Sequence, residues 1–188
     1  MSEKSTNKYA IVDLEATSAS STACIIQVGI VIMQNGRVID EFASDVNPHQ
    51  KLDNHIVHLT GITDQQLSQA PDFSEIARTI FELIEDCIFV AHNVKFDANL
   101  LAEALFMEGF ELRTPRVDTV ELAQVFYPTL EQYNLSYLSR VLNLDLAQAH
   151  TAIEDARATG KLLLHLMDKI ASLPRQTIDM LLTFSDNL

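Results

Sequence analysis

Two carboxylates stand close together near the start of the chain, at the end of an apolar run. Residues 9–12 are apolar, and Asp13 and Glu15 follow them, separated by Leu14. Residues two apart in a β-strand point to the same face, so the two carboxylates would lie side by side. Adjacent anions repel unless a proton or a cation relieves them, and such oxygen ligands suit Mg²⁺ or Mn²⁺. The pair indicates a divalent-metal site, with an ordinary solvated strand end as the alternative.

A third carboxylate, Asp97, lies in the opening turn of a predicted helix that follows the apolar segment 87–91. The helix dipole favours an Asp in this turn, and Asn93 before it is a common helix cap, so both residues have a purely structural interpretation. The functional interpretation comes from topology. Parallel sheets of this class collect ligand sites at the carboxyl ends of their strands, and Asp13 and Asp97 both follow such ends.

The segment 150–155 adds a histidine and a fourth carboxylate. Thr151 and Glu154 have the spacing of a capping box, which predicts that the last long helix begins here and gives Glu154 a structural role. His150 would then lie just outside the helix and Asp155 just inside it, so the two can converge only if His150 is on the preceding loop. A loop histidine beside carboxylates suits a general base near neutral pH; a surface histidine is the alternative.

Three other histidines, His49, His55 and His58, raise the alternative of a zinc site, since the last two could share a helix face. No cysteine lies near them in the sequence and no second carboxylate completes a ligand set. We therefore disfavour zinc.

The remaining sequence predicts the elements that must position these residues. Asn35-Gly36 separates β-type runs at 25–33 and 37–46, which is a strong hairpin signal, so the first three strands should be antiparallel neighbours. Strands then alternate with helices, which is typical of a three-layer α/β fold with a mixed, five-stranded sheet flanked by helices. Strands are predicted at 9–12, 25–33, 37–46, 87–91 and 116–118, and helices within 73–86, 96–110, 119–127 and 134–144 and from about 151 to 172.

Composition limits the classes of protein that fit. The 188 residues suit one domain at 9–172, with a polar N-terminal tail at 1–8 and a C-terminal tail or connector at 173–188. With 13 basic and 26 acidic side chains the net charge is −13, which argues against a protein that coats duplex nucleic acid through a basic surface. Cys24 and Cys87 lie in apolar runs, as expected for buried thiols in a reducing compartment. The polar start and the absence of a membrane-spanning run make the cytoplasm the expected location.

Taken together, the polar segments resemble the motifs of a known nuclease family. Asp-Leu-Glu at 13–15, Asn-Val-Lys-Phe-Asp at 93–97 and His-Thr-Ala-Ile-Glu-Asp at 150–155 are similar, in order, to the DxE, NxxFD and HxxxxD motifs of the DnaQ-like DEDDh 3′-5′ exonucleases. The details look most similar to the exonuclease domain at the N-terminus of bacterial DinG-type helicase-like proteins. That closer likeness is carried by 89–97, 117–128 and 133–144.

Two features set the chain apart from such proteins. It contains no GxxxxGK[ST] loop, so we expect a fragment or a stand-alone version that lacks the helicase part. The family commonly has DxETTG where this chain has Asp-Leu-Glu-Ala-Thr-Ser, so Ala16 and Ser18 replace Thr and Gly. This departure bears on the fit of substrate and not on metal binding.

The resemblance implies an RNase H-like sheet and two divalent cations, Mg²⁺ or Mn²⁺, one preparing the attacking water and the other stabilising the leaving 3′ oxygen. By this likeness Asp13 would contact both ions, and Glu15 and Asp155 would complete the first metal site. Asp97 would act on the second metal through water, and His150 would take the proton of the attacking water. Residues implied at the terminal nucleotide are Leu14, Ala16, Thr17, His55, Thr60 and Asn93.

A site that binds backbone, metals and one or two unstacked bases should prefer single-stranded or frayed 3′ ends. We expect DNA as substrate, nucleoside 5′-monophosphates as product, and a fused or associated helicase or polymerase as partner. A short-RNA-degrading oligoribonuclease of the same family is one alternative, which length preference would separate. The other is an idle nucleic-acid-binding or regulatory domain of a helicase-like protein, which the presence of all five catalytic positions disfavours.

Overall fold

Five strands form one sheet, and helices cover both of its faces. The computed structural model describes residues 7–18, 20, 22–144, 151–174 and 176–177. The strands are β1 (Lys8–Ala16), β2 (Ile25–Gln34), β3 (Arg37–Asp45), β4 (Ile88–Ala91) and β5 (Arg116–Asp118). The helices are α1 (Asn54–Thr60), α2 (Asp64–Leu67), α3 (Phe73–Ile84), α4 (Val94–Met107), α5 (Thr119–Phe126), α6 (Leu135–Val141) and α7 (Ala152–Ala171).

The strand order is β3-β2-β1-β4-β5. The first three strands are antiparallel neighbours, as predicted, and β4 and β5 run parallel to β1. Asn35 and Gly36 both have positive φ angles, 53° and 73°, which is the conformation that a two-residue hairpin turn requires. The mixed, five-stranded α/β fold expected from the sequence is therefore confirmed.

Strand β1 is longer than its apolar run predicts. It continues to Ala16, so Asp13 and Glu15 lie inside the strand and not after its end. The reason is pairing with β2, in which Asp13 is opposite Gly29 and Glu15 is opposite Gln27. Backbone hydrogen bonds to a neighbouring strand extend β1 through residues that would otherwise favour solvent.

The two faces of the sheet bury different residues of β1. Ala10, Val12 and Leu14 pack in the core beneath α3 and α4, whereas Ile11 packs with α7 on the opposite face. Because side chains alternate along a strand, Asp13 and Glu15 share the α7 face with Ile11. Helix α7 is thus the element that faces the two carboxylates.

The segment between β3 and α3 differs from its prediction. The sequence there is polar with no clear period, yet it contains the short helices α1 and α2. Leu67 of α2 is buried and packs with Leu52 and Ile62.

Cys87 is buried as predicted, but Cys24 is only partly buried, and neither is in a disulfide. Within the described residues, we find no helix that is both long and apolar enough to cross a membrane.

Candidate active site

Three carboxylates converge between β1 and the start of α7. Asp13 and Glu15 come from β1, and Asp155 comes from the first turn of α7. One carboxylate oxygen from each lies within 4.8 Å of those of the other two. No other group of His, Cys, Asp and Glu in the described part of the chain has this spacing, so His49, His55 and His58 do not form a zinc site there.

The electrostatics of this cluster favour a bound cation. Burial raises the pKa of Asp13 well above its usual value, and the nearby Asp97, Asp155 and Glu15 raise it further. Such crowded anions need a proton or a positive ion to relieve their repulsion. Carboxylate oxygens are the donors that Mg²⁺ and Mn²⁺ prefer, so the donor set fits the cations that the sequence implies.

Asp97 lies beside the cluster and is fixed to β1. It is in the first turn of α4, its residue is only 6% exposed, and its Oδ1 accepts a hydrogen bond of 3.0 Å from the backbone N–H of Leu14. Burial raises the pKa of Asp97 to about 7, although this hydrogen bond opposes the rise. Asp97 therefore belongs to the same polar site but lies outside the three-carboxylate cluster.

The start of α7 is capped differently from the prediction. Thr151 occupies the N-cap position, but its side chain makes no capping hydrogen bond, so the predicted capping box is wrong. Instead Gln27 of β2 accepts a hydrogen bond of 2.8 Å from the backbone N–H of Ala152. His150, the predicted general base, lies outside the described residues.

Glu154 has a different partner from the one that a capping box requires. Its carboxylate binds Arg157 one turn later, and the same guanidinium binds Glu41 on β3. Because the carboxylate of Glu154 is engaged by Arg157, it is turned away from the backbone N–H of Thr151 that a capping box would require. The hydrogen bond from Arg157 lowers the pKa of Glu41, and it joins α7 to β3 at the edge of the sheet.

Gly29 allows α7 to come close to the sheet at the cluster. It pairs with Asp13 in the β1–β2 register. A Cβ atom built on Gly29 would lie 2.2 Å from the carbonyl carbon of Ala152 and 2.3 Å from the nitrogen of Ile153. These are backbone atoms of the helix, so only glycine permits this approach. The sequence does carry a signal for this close approach, since a glycine inside an apolar strand often marks a place where another backbone comes near.

Asp118 caps the helix that carries Asp97, a role predicted for Asn93 from the sequence. Asn93 has φ of 77°, is exposed, and makes no capping bond through its side chain. The carboxylate of Asp118 accepts hydrogen bonds from the N–H groups of Asn93 and Val94, at 3.2 and 3.0 Å. It also accepts one of 2.8 Å from Val120 in α5. Asp118 thus joins the end of β5 to the first turns of both helices.

Besides the exposed Asn93 at the start of α4, the residues expected at the terminal nucleotide lie in two groups. The side chains of Leu14 and Ala16 are buried, 6% and 9% exposed, which leaves mainly their backbone to face a ligand. Thr17 accepts a hydrogen bond of 3.0 Å from the N–H of Cys24, which closes the loop after β1. Leu14 and Ala16 therefore lie in β1 beside the carboxylates, and Thr17 holds the start of the loop that follows.

The second group, His55 and Thr60, lies on α1. His55 is exposed. The hydroxyl of Thr60 donates to the carbonyl of Ile56 at 2.9 Å and accepts from the N–H of Ile62 at 3.1 Å, so it closes the C-terminal end of α1. The structure thus gives Thr60 a local structural role, and it leaves His55 open to solvent.

Comparison with known proteins identifies the family. A family model described as an exonuclease, RNase_T, matches residues 10–163, which span the sheet, the carboxylate cluster and most of α7. The chain belongs to this exonuclease family. The 3′-5′ exonuclease DinG of Staphylococcus aureus (strain USA300) is 38% identical over 182 residues, which cover 96% of this chain. The chain spans only 20% of the length of that relative.

Solved structures of exonucleases share the fold. The nuclease domain of 3′hExo, a DEDDh family member bound to rAMP, has a TM-score of 0.76 at 16% identity, covering 92% of this chain and 98% of that one. Exonuclease X in complex with 5′-overhanging duplex DNA has a TM-score of 0.71 at 20% identity, covering 91% and 98%. Exonuclease I of E. coli with a dA16 oligonucleotide has 0.73 at 18% identity, covering 88% and 43%. The predicted RNase H-like fold and exonuclease family are confirmed.

Proposed function

We propose that this exonuclease domain removes nucleotides from the 3′ ends of single-stranded or frayed DNA in a reaction that depends on divalent cations. The observation that carries the proposal is the convergence of Asp13, Glu15 and Asp155, whose ligand atoms lie within 4.8 Å of one another. The 3′-5′ activity in the name of the S. aureus relative supports the direction of digestion. Complexes of exonucleases of the same fold with DNA support the substrate class.

In this proposal Asp13, Glu15 and Asp155 would hold two cations, Mg²⁺ or Mn²⁺. When bound, the cations supply Lewis-acid stabilisation of the charge that develops on the phosphate and on the leaving oxygen. Asp97 is held against β1 through the N–H of Leu14. From there it would orient water molecules at the edge of the cluster.

His150 would accept the proton of the attacking water. The water oxygen forms a bond to the phosphorus of the last phosphodiester, and the bond from phosphorus to the 3′ oxygen breaks. That oxygen takes a proton from solvent and becomes the new 3′ hydroxyl of the strand. The released product is then a nucleoside 5′-monophosphate.

The net charge of −13 bears on how nucleic acid is held. A protein this acidic gains little from long-range attraction to phosphates. We therefore propose that the carboxylate cluster binds only the terminal nucleotides, through its cations. A helicase or polymerase part, fused or associated, would supply most of the affinity for the rest of the nucleic acid. The far greater length of the S. aureus relative supports a fused arrangement.

Digestion of a single-stranded DNA oligonucleotide with Mg²⁺ or Mn²⁺ tests the proposal, with mass spectrometry of the released nucleotides. We expect nucleoside 5′-monophosphates from the wild type and none from Asp13→Asn or Asp155→Asn. Asp168→Asn is the matched control, because it makes the same change more than three turns further along α7 and should keep full activity. His150→Ala should lower the rate by about 10²-fold or more, the usual contribution of a general base.

Each alternative function has its own outcome in the same experiment. Faster digestion of RNA dinucleotides and short RNA than of long DNA would favour an oligoribonuclease. Binding of the oligonucleotide without release of any mononucleotide would overturn the proposal and favour a regulatory domain.

A further inference from the structure

The first turn of α7 depends on a side chain from the other end of the sequence. The first N–H groups of a helix lack partners within the helix and need an outside acceptor. The side chain of Thr151 does not supply one. The side-chain oxygen of Gln27, which is 125 residues away in the sequence, accepts from Ala152 at 2.8 Å. A residue of the sheet thus performs the capping that local sequence usually provides.

The amide of Gln27 is itself held in one orientation. Its nitrogen donates a hydrogen bond of 2.7 Å to Oδ1 of Asp45 at the end of β3. The other oxygen of Asp45 accepts a hydrogen bond of 2.7 Å from the side chain of Gln66 in α2. An ionised carboxylate only accepts hydrogen bonds, so Asp45 fixes the amide nitrogen towards itself and leaves the oxygen of Gln27 facing α7.

These four groups form a chain of hydrogen bonds that ends beside the carboxylate cluster. Gln27 is opposite Glu15 in the sheet. Ala152 precedes Asp155 by three residues in the same helical turn, and the N–H of Asp155 bonds to the carbonyl of Thr151. Because that turn is hydrogen-bonded as a unit, a displacement of Ala152 moves Asp155 with it.

We propose that Gln27 is a positioning residue for the metal site. By capping α7 it fixes Asp155 at its distance from Asp13 and Glu15, and through Asp45 it ties that distance to α2. The side-chain amide of Gln27 carries both an acceptor and a donor, so it can accept from the backbone N–H of Ala152 and donate to the carboxylate of Asp45 at once. The inference rests on the proposed function, since it assigns Gln27 a role in holding the cations of that reaction.

The test measures Mn²⁺ binding by isothermal titration calorimetry, with nuclease rates as a second readout. Gln27→Met keeps the length of the side chain and removes both hydrogen bonds. We expect it to weaken Mn²⁺ binding by about tenfold, the low end for groups that orient metal ligands. The Mn²⁺ concentration for half-maximal activity should rise equally, while KM for the oligonucleotide, measured at saturating Mn²⁺, stays within twofold. Gln34→Met, at the other end of β2, is the matched control and should bind Mn²⁺ like the wild type.

A compensating pair of substitutions separates positioning from general stability. Gln27→Glu alone would face Asp45 with a second carboxylate and should also weaken Mn²⁺ binding. Gln27→Glu combined with Asp45→Asn restores an acceptor for Ala152 and a donor between the two side chains, so we expect Mn²⁺ affinity to return to within about threefold of the wild type. Failure of the pair to restore it would overturn the inference.

The outcomes distinguish this inference from the proposed function. Wild-type protein that binds no Mn²⁺ and releases no nucleotides would refute the proposed function, and the role of Gln27 with it. Wild-type protein that binds Mn²⁺, beside a folded Gln27→Met variant that binds it equally well, would refute the role of Gln27 alone. Loss of thermal stability without loss of Mn²⁺ affinity would likewise overturn it.

Discussion

Replacing Gly29 by alanine tests the idea that close packing of α7 on the sheet assembles the active site. The new Cβ would lie 2.2 to 2.4 Å from backbone atoms of Ala152 and Ile153, whereas ordinary contacts need at least 3.4 Å. The first turn of α7 must then retreat by about 1 Å, because a packed interior has no spare volume to absorb the methyl group. Asp155, in the same turn, moves away from Asp13 by a similar distance.

Both stability and activity should respond to this substitution. Overpacking of this kind costs about 1–3 kcal/mol in the free energy of unfolding, which for a domain of this size lowers Tm by about 2–12 °C. A displacement of about 1 Å among reacting groups can reduce the rate by about 10²-fold. We therefore expect Gly29→Ala to lose at least tenfold in the initial rate of nucleotide release, measured with saturating Mn²⁺ well below its own Tm.

Gly160→Ala is the control for the size of the change. The Cβ atom it adds to α7 would lie 3.0 Å from the sulfur of Met33, near the end of a flexible side chain, which is a far milder contact than the backbone overlap at Gly29. Alanine also stabilises a helix interior by about 1 kcal/mol relative to glycine. This variant should keep full activity and its Tm should not fall. A Gly29→Ala variant with wild-type rate and Tm would refute the reasoning.

Two further predictions concern the carboxylates around the cluster. Burial raises the pKa of Asp97 from 3.8 to about 7, so in the metal-free protein the stability contributed by this group is fully present below pH 4, and about 4 kcal/mol of it is lost as the pH rises from 4 to 7. In urea unfolding, the decrease in the free energy of unfolding from pH 4 to pH 8 should be smaller by about this amount in Asp97→Asn than in the wild type. An equally large decrease in the variant would show that Asp97 does not have the raised pKa. Asp118→Ala removes caps from α4 and α5 and should lower the free energy of unfolding by about 2 kcal/mol, whereas the exposed Asp86→Ala should change it little. Equal effects of these two substitutions would contradict the capping role of Asp118.

Much of the fold could be predicted because its signals are local. The Asn35-Gly36 turn fixes the β2–β3 hairpin, and the short strand at 116–118 has the predicted bounds. Helices α1 and α2 were missed because they have only seven and four residues, too short to display a helical period. The end of β1 was also missed, since partners in β2 and not the strand's own apolar run determine where it stops.

The carboxylates of the site could be predicted from the sequence, but the hydrogen bonds that hold them in place could not. Asp13 and Glu15 follow from strand alternation, and Asp155 follows from a helix start. The bond from Leu14 to Asp97 joins residues 83 apart, and the cap from Gln27 to Ala152 joins residues 125 apart. No local pattern encodes such pairs. The predicted capping box does not form: the carboxylate of Glu154 instead binds Arg157, whose guanidinium also binds Glu41 on the distant strand β3.

The direction and metal dependence of digestion test the central claim most directly. One single-stranded DNA oligonucleotide is labelled at its 3′ end in one reaction and at its 5′ end in another, each with Mn²⁺ or with a chelator. We predict that the 3′ label appears in a mononucleotide from the first time point, while the 5′ label stays in strands that shorten gradually, and that the chelator or Asp13→Asn stops both changes. Early release of the 5′ label, internal cuts, or full activity in Asp13→Asn would contradict the account.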